Sequence, residues 1–197
     1  MKDVNKFLAG EYIKSIKIPK TKLDTQIVIA PVGLIKSGKT TVTKLLAKKL
    51  GAVRISSDEV RVLARDSKIE TFDIKETFFI LLNYFINKNL SVVADAGWSD
   101  FEKREALEML GVEKGFEVMY TKINPPRKYI LDGIKNFKYK KGELFRSSEE
   151  VMRDFKRTLK ERWPLSDLDY IYTFNPAKEN LSEQVGECVE KRKSNLE

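Results

Sequence analysis

The chain has 197 residues, of which 42% are hydrophobic and 34% charged, and its formal net charge is +8. Its length and composition predict one main folded domain, and its basic balance favours ligands that carry phosphate. With no histidine and one cysteine, the sequence excludes an internal disulfide, a His-ligated zinc site and any catalytic triad built on imidazole. No apolar run approaches the ~20 residues of a membrane span. The first residues also lack the apolar stretch of a signal peptide, so we expect a cytoplasmic protein without membrane contact.

Apolar residues follow strand-like and helical spacing in turn along the chain. Five short apolar segments are predicted as strands, at residues 26–32, 52–56, 90–95, 116–123 and 169–174. Amphipathic helices are predicted between them: one stops at Gly51, another ends at Gly111 or Gly115, and the last begins near residue 179. This alternation predicts an α/β fold, with a five-stranded parallel sheet and helices on both faces.

Two segments stand outside this alternation. Residues 1–25 carry six lysines against three acids and are predicted to form an N-terminal extension, either a helix or a partly mobile arm. Residues 26–197 are predicted to form the main domain. Within it, residues 127–162 hold 12 Lys and Arg against six Asp and Glu, so much of the net charge lies in one segment.

Residues 33–40 read Gly-Leu-Ile-Lys-Ser-Gly-Lys-Thr and match the phosphate-binding pattern G-x-x-x-x-G-K-[ST]. A predicted strand precedes the motif and a predicted helix follows it, which is the context that this loop requires. The glycines let backbone N–H groups point at phosphate oxygens. We expect Lys39 to reach the β- and γ-phosphates of ATP and Thr40 to bind Mg²⁺ through its hydroxyl. The predicted nucleotide-binding residues are Gly33, Lys36, Ser37, Gly38, Lys39, Thr40 and Thr41.

Lys36 has two possible roles in this loop. It could lean over the γ-phosphate as a second cation, or it could be a charge that faces solvent.

An acidic residue follows the second predicted strand, 19 residues after Lys39. Because this strand is expected to end near the first, Asp58 would face the γ-phosphate and accept the proton of an attacking hydroxyl. Arg61, one helical turn later, could hold an anionic group of the acceptor. The Ser-x-Asp segment is also typical of a helix N-cap, a role compatible with catalysis.

Asp95 ends the third predicted strand, which is otherwise apolar. An unpaired charge at this position would be costly. We therefore expect Asp95 to lie in the shell of a Mg²⁺ ion beside Thr40, or to cap the loop that follows.

Three segments resemble P-loop kinases grouped around polynucleotide 5′-kinases and zeta-toxin-like, AAA-type kinases. They are residues 33–40, Ser57-Asp58-Glu59-Val60-Arg61 and Val92-Val93-Ala94-Asp95-Ala96. The resemblance covers about residues 26–125 with specific motifs. It implies a P-loop NTPase fold, a general base at Asp58, an acceptor-binding arginine at Arg61 and a metal-adjacent Asp95. The family carries Thr or Asn two residues after this aspartate, whereas this sequence reads Asp95-Ala96-Gly97-Trp98-Ser99 and has no polar residue there. Trp98 either stacks on a base or ring or covers the core.

The same resemblance implies a helical lid that neutralises the transferred phosphoryl group. The corresponding region is approximately residues 127–162, where Arg146 or Lys141 is expected to contact the phosphates and a solvated basic face is the alternative. Aromatic residues interleave with these cations, which suits either a nucleic-acid strand or an ordinary pair of helices. Asn175-Pro176 follow the fifth strand, where related kinases form part of the adenine pocket.

The sequence thus predicts a kinase that uses Mg²⁺ and ATP, with Lys39, Asp58, Arg61 and Arg146 as catalytic residues. The expected acceptor is the 5′-hydroxyl of single-stranded RNA or DNA, or a nucleotide-like molecule. A nucleoside, sugar or amino-sugar is the small-molecule alternative. A nucleotide-binding regulatory module without phosphotransfer is the alternative of another class, but it would not require Asp58 and Arg61 together.

Overall fold

The computed structural model describes residues 2–19, 25–162 and 168–194. The strands are β1 (Ile27–Gly33), β2 (Val53–Ser56), β3 (Val92–Asp95), β4 (Glu117–Ile123) and β5 (Tyr170–Phe174). The helices are α1 (Lys2–Ser15), α2 (Lys39–Leu50), α3 (Ser57–Asp66), α4 (Ile74–Ile86), α5 (Phe101–Lys114), α6 (Arg127–Lys135), α7 (Ser148–Arg162) and α8 (Leu181–Ser194).

The strands form one five-stranded parallel sheet, as the sequence predicts, and their order in it is β2-β3-β1-β4-β5. β3 pairs with β1 through Val28 opposite Val92, and with β2 through Ser56 opposite Asp95. β2 is therefore an edge strand that β3 separates from β1. The expectation that the second strand ends near the first needs this correction: residues after β2 reach the phosphate loop across the end of β3.

A hydrophobic core covers each face of the sheet. Val28, Ala30 and Val32 belong to the core that α1, α4 and α5 cover, whereas Ile27 and Ile29 belong to the core beneath α2 and α8. This division follows from the two-residue period of a strand. Because both faces of β1 are buried, its sequence is continuously apolar rather than alternating.

Glycines end the helices on which the site depends. α2 ends at Gly51, whose φ of 61° is left-handed and whose N–H donates to the Ala47 carbonyl. α5 ends at Gly115, with a φ of 71°, so Gly115 rather than Gly111 is the stop. Only glycine adopts this conformation without strain.

The N-terminal extension contains a helix, α1, that packs on the main domain. Of the two predictions for this segment, a helix or a partly mobile arm, the structure confirms the helix for residues 2–15. Leu8, Ala9 and Tyr12 of α1 are buried. The side chain of Asn5 donates to Glu76 at 2.5 Å and accepts from the N–H of Asp73 at 2.9 Å, which joins α1 to the start of α4. Residues 20–24 lie outside the described part of the chain.

The helices α6 and α7 form a third apolar core in the region predicted as a lid. Its buried members are Leu34, Ile130, Ile134, Val151 and Phe155. Leu34 belongs to the loop after β1, so the lid packs directly on the predicted phosphate loop. Among the described helices, none is long and apolar enough to cross a membrane.

Replacing Leu8 with Ala tests whether α1 is an integral element. Leu8 has no exposed surface, so we expect its truncation to lower the free energy of unfolding by about 2–5 kcal/mol. Phe7 is 54% exposed, and Phe7→Ala is the matched control, with an expected change below about 0.5 kcal/mol. Urea unfolding measures both. Equal, small effects would contradict the docking of α1.

Candidate active site

The predicted phosphate loop connects β1 to α2 with a tight turn. Gly38 has a φ of 91°, and a Cβ added there would lie 2.8 Å from the Cβ of Pro176. Glycine is therefore required both by the backbone conformation and by the close approach of the segment after β5. Gly38 is the N-cap of α2 and offers no side chain to its first amide groups. These N–H groups and the positive end of the helix form a site for an anion.

Two cavities lie beside this loop and meet at its lysine. The first has a volume of about 750 Å³ and is lined by Lys36, Gly38, Lys39, Thr40 and Thr41, together with parts of α3 and the lid. The second, of about 620 Å³, is lined by Gly33, residues 95–99, α3 and α7. Five residues line both cavities: Ile35, Lys39, Asp58, Leu144 and Phe145.

Ser37 has a structural position within the loop. Its hydroxyl is fully buried and makes no hydrogen bond within the described residues. Its N–H donates to the Leu34 carbonyl at 3.2 Å, and Ser37 lines neither cavity. Gly33 is needed for packing, since a Cβ there would lie 2.9 Å from both the Ile123 carbonyl and the Ser37 hydroxyl.

Lys36 contacts the lid. Its Nζ lies 4.1 Å from the ring centroid of Phe137, a cation–π contact, while its backbone has a φ of 59° that is unusual outside glycine. Partial burial lowers the pKa of Lys36; the negative charge of Glu143 opposes this shift, and the positive charge of Lys140 adds to it. Lys36 thus lines the first cavity from beneath the lid rather than extending into bulk solvent.

Asp58 lies in the first turn of α3, and Arg61 lies at the start of the next turn. Ser56 is the N-cap of this helix, and its hydroxyl accepts from the N–H of Glu59. The capping role therefore belongs to Ser56, which leaves the Asp58 carboxylate free of it. Asp58 Oδ1 accepts from the Arg61 guanidinium at 3.0 Å, with side chains 59% and 39% exposed. Both side chains line the second cavity.

Asp95 is buried and forms an ion pair with Arg54, a residue that the sequence analysis missed. Asp95 Oδ2 accepts from Arg54 at 2.6 and 3.2 Å and lies 3.0 Å from the Thr43 hydroxyl. Arg54 thus neutralises the buried charge at the end of β3, so a metal ion is not needed for that purpose. Burial opposes the charge of Arg54, but Asp95 and Glu59 outweigh it and raise its pKa. The sequence contained a sign of this residue's role, because Arg54 lies between the buried Val53 and Ile55 in a short strand.

Among the predicted lid cations, Arg157 is the one that lines the second cavity, where it pairs with Asp154. Arg146 and Lys141 are exposed and belong to the lining of neither described cavity. The guanidinium of Arg65 in α3 donates to the Glu143 carbonyl at 2.9 Å, which ties the segment between α6 and α7 across the cleft.

Trp98 covers the core, the second of its two expected roles. It is 1% exposed, its indole N–H donates to the Ala94 carbonyl at 2.6 Å, and its ring meets Phe78 edge-on. Trp98 therefore shapes the wall of the second cavity from behind.

This sheet order and this loop define an α/β protein with a P-loop NTPase fold, as predicted. The chain belongs to the AAA domain family, whose model matches residues 28–162. No curated protein matches the chain in sequence.

Solved structures with the same fold include three kinases. The APS kinase of Mycobacterium tuberculosis, in complex with AMPPNP and APS, has a TM-score of 0.59 at 14% identity and covers 86% of this chain and 98% of its own. The shikimate kinase of Acinetobacter baumannii, in complex with shikimate, has a TM-score of 0.59 at 20% identity, covering 87% and 96%. A gluconokinase of Sinorhizobium meliloti has a TM-score of 0.51 at 15% identity, covering 87% and 93%.

Lys103 of α5 lies behind the second cavity in an unusual environment. Its Nζ is 4.4 Å from the Trp98 ring centroid and 5.1 Å from that of Phe78, and it donates to the Gly97 carbonyl at 3.3 Å. Burial and the positive charges of Arg61 and Lys75 lower the pKa of Lys103 to about 8, against the opposing effects of Asp100 and Asp58.

This environment predicts a pH-dependent stability. Between about pH 8 and the ordinary lysine value of 10.5, the unfolded chain binds more protons than the folded one, so stability rises with pH. We expect Lys103→Met to have a higher Tm than the natural chain at pH 7, with the difference shrinking towards pH 10. Burial also raises the pKa of Tyr12 and Tyr120, which lowers stability only above pH 10.

Thermal unfolding at pH 7, 8, 9 and 10 measures this difference. Lys48→Met, at an exposed position of α2, is the matched control, with no expected pH-dependent change. A difference for Lys103→Met that stays constant with pH would contradict the lowered pKa.

Proposed function

We propose that the protein is an ATP-dependent kinase that transfers the γ-phosphate to a hydroxyl of a small molecule. The observation that carries this proposal is that Lys39 and Asp58 line both cavities. A triphosphate bound by the loop in the first cavity and a hydroxyl in the second would meet at these two residues. A cation for the phosphate and a carboxylate for the hydroxyl proton are the groups that phosphoryl transfer needs there.

Each residue at the junction has a defined task. Lys39 neutralises charge on the phosphate oxygens, and the first amides of α2 bind the phosphates beside it. Asp58 accepts the proton of the attacking hydroxyl late in the transfer. Arg61 holds one carboxylate oxygen of Asp58 and, having five N–H donors, retains others for the acceptor.

The side-chain oxygens near the phosphate loop fit a Mg²⁺ ion that is bound together with the phosphates of ATP. Within residues 2–19, 25–162 and 168–194, no three His, Cys, Asp or Glu side chains form a metal cluster. Mg²⁺ bound with ATP needs only one or two protein oxygens, since water and phosphate supply the rest. The hydroxyl of Thr40, an exposed residue, would hold the ion, and Asp95 at the end of β3 would be its acidic partner. The bound ion would neutralise charge on the transferred phosphoryl group.

The size and shape of the second cavity favour a small acceptor. Its volume of about 620 Å³ lies within the ~300–1,000 Å³ of small-ligand sites. Leu144 and Phe145 close it on the lid side, and the Arg65–Glu143 hydrogen bond holds that segment in place.

The charged side chains of the second cavity also favour a small acceptor. Four of the six charged side chains that line the second cavity form two pairs, Asp58 with Arg61 and Asp154 with Arg157, while Asp95 pairs with Arg54 and Lys39 belongs to the phosphate loop. Such pairs offer donors and acceptors in balance, which suits a hydroxylated molecule more than a polyanion. The lysines that motivated a nucleic-acid acceptor are exposed and line neither cavity: Lys135, Lys138, Lys140 and Lys141.

The three similar kinases support the small-molecule reading and not the polynucleotide one. Two were solved with APS or shikimate bound, and the third is a gluconokinase.

The test of the proposed acceptor class measures ADP formation from Mg·ATP with shikimate, gluconate, APS, a set of aldoses and an oligonucleotide with a free 5′-hydroxyl. We expect a small molecule to stimulate turnover. Stimulation by the oligonucleotide alone would overturn the proposed acceptor class.

Two substitutions assign the roles. Lys39→Ala should abolish turnover and weaken ATP binding, whereas Lys48→Ala, at an exposed position of the same helix, should change neither.

Asp58→Asn should lower kcat by about 100-fold, the range of a general base, with ATP affinity unchanged. Asp66→Asn is its control, because Asp66 is exposed on the same helix. Normal turnover in Asp58→Asn would exclude it as the base.

A further inference from the structure

The hydroxyl of Tyr12 contacts the residues on both sides of Asp58. It accepts a hydrogen bond from the N–H of Ser56 at 2.9 Å and donates one to Glu59 Oε2 at 2.8 Å. Ser56 ends β2 and caps α3, and Glu59 directly follows Asp58 in that helix. One phenol group thus joins the end of the strand to the first turn of the helix.

Tyr12 is itself held rigidly. It is 3% exposed, and Leu8 and Ala9 of the same helix are buried in the core. Burial and the neighbouring charge of Glu59 raise the pKa of Tyr12 well above its ordinary value, so the hydroxyl remains a donor throughout the physiological range. Glu59 is fixed from its other side by Arg54, at 2.7 Å.

The candidate base depends on this support. The Asp58 side chain is 59% exposed, so packing does not fix it, and its position depends on Arg61 and on the backbone of residues 56–59 that carries it. Small displacements of a reacting group, of about 1 Å, can cost ~100-fold in rate. A hydrogen bond that fixes this turn therefore acts on the rate and not only on the fold.

We propose that Tyr12 is a positioning residue for Asp58, supplied by a helix that precedes the family domain. The matched domain begins at residue 28, so α1 lies outside it. This inference rests on the proposed function, because it assumes that Asp58 serves the transfer. It gives the N-terminal extension a role at the active site rather than at a separate surface.

The test uses Tyr12→Phe, which keeps the ring and removes the hydroxyl. The control is Tyr120→Phe: Tyr120 is also buried and also donates to a glutamate, Glu108, at 2.8 Å, but it lines neither cavity. The assay is slow hydrolysis of Mg·ATP with water in place of the acceptor, so it does not depend on the identity of that molecule. We expect Tyr12→Phe to lower kcat about 10-fold with an unchanged KM for ATP, and Tyr120→Phe to stay within about twofold.

A double-mutant cycle separates positioning from general destabilisation. If Tyr12 acts through Asp58, then adding Tyr12→Phe to Asp58→Asn should change the residual rate little. An equal loss in both backgrounds would overturn the proposal, as would normal turnover of Tyr12→Phe. Hydrogen exchange provides a second readout: the Ser56 amide should exchange faster in Tyr12→Phe, and unchanged protection would contradict the hydrogen bond.

The two proposals fail in different ways. If Asp58→Asn hydrolyses ATP as fast as the natural chain, the role of Asp58 is wrong whatever Tyr12 does. If Asp58→Asn is slow and Tyr12→Phe is normal, only the positioning role is wrong.

Discussion

The buried ion pair between Arg54 and Asp95 holds together the parts of the molecule from which the site is built. Arg54 lies in the edge strand β2, Asp95 ends β3, and the Thr43 hydroxyl of α2 lies within 3.0 Å of both. Removing one partner of such a pair typically costs about 3–5 kcal/mol, because the other charge stays buried and unpaired. The pair therefore fixes the phosphate-loop helix against the ends of two strands.

The same group of side chains connects both halves of the proposed reaction. Towards the nucleotide, the Thr43 hydroxyl also lies 3.1 Å from the carbonyl of Thr40, in the first turn of α2. Towards the acceptor, Arg54 binds Glu59, which neighbours Asp58 on α3. The phosphate loop and the carboxylate thus share one rigid support, while the lid residues Leu144 and Phe145 complete the junction of the two cavities.

The sequence predicted those features that depend on neighbouring residues. The loop at residues 33–40, the parallel sheet and the stop of α2 at Gly51 follow from local patterns, and the structure has all three. It did not predict that β3 separates β2 from β1, or that Arg54 pairs with Asp95, because both depend on contacts between distant segments. Buried charges with no local partner, such as Asp95, indicate that a distant partner exists but do not identify it. The contact of α1 with α3 was missed for the same reason, since Tyr12 meets Glu59 only in the folded chain.

In the proposed reaction, the γ-phosphate of ATP and Asp58 face each other where the two cavities meet. A crystal structure with Mg²⁺ and AMPPNP tests it most directly. We expect Lys39 Nζ to lie within hydrogen-bonding distance, about 3 Å, of a γ-phosphate oxygen, with the Asp58 carboxylate across the second cavity from the phosphorus. A γ-phosphate bound away from this junction, or an Asp58 side chain turned out of the second cavity, would exclude this arrangement.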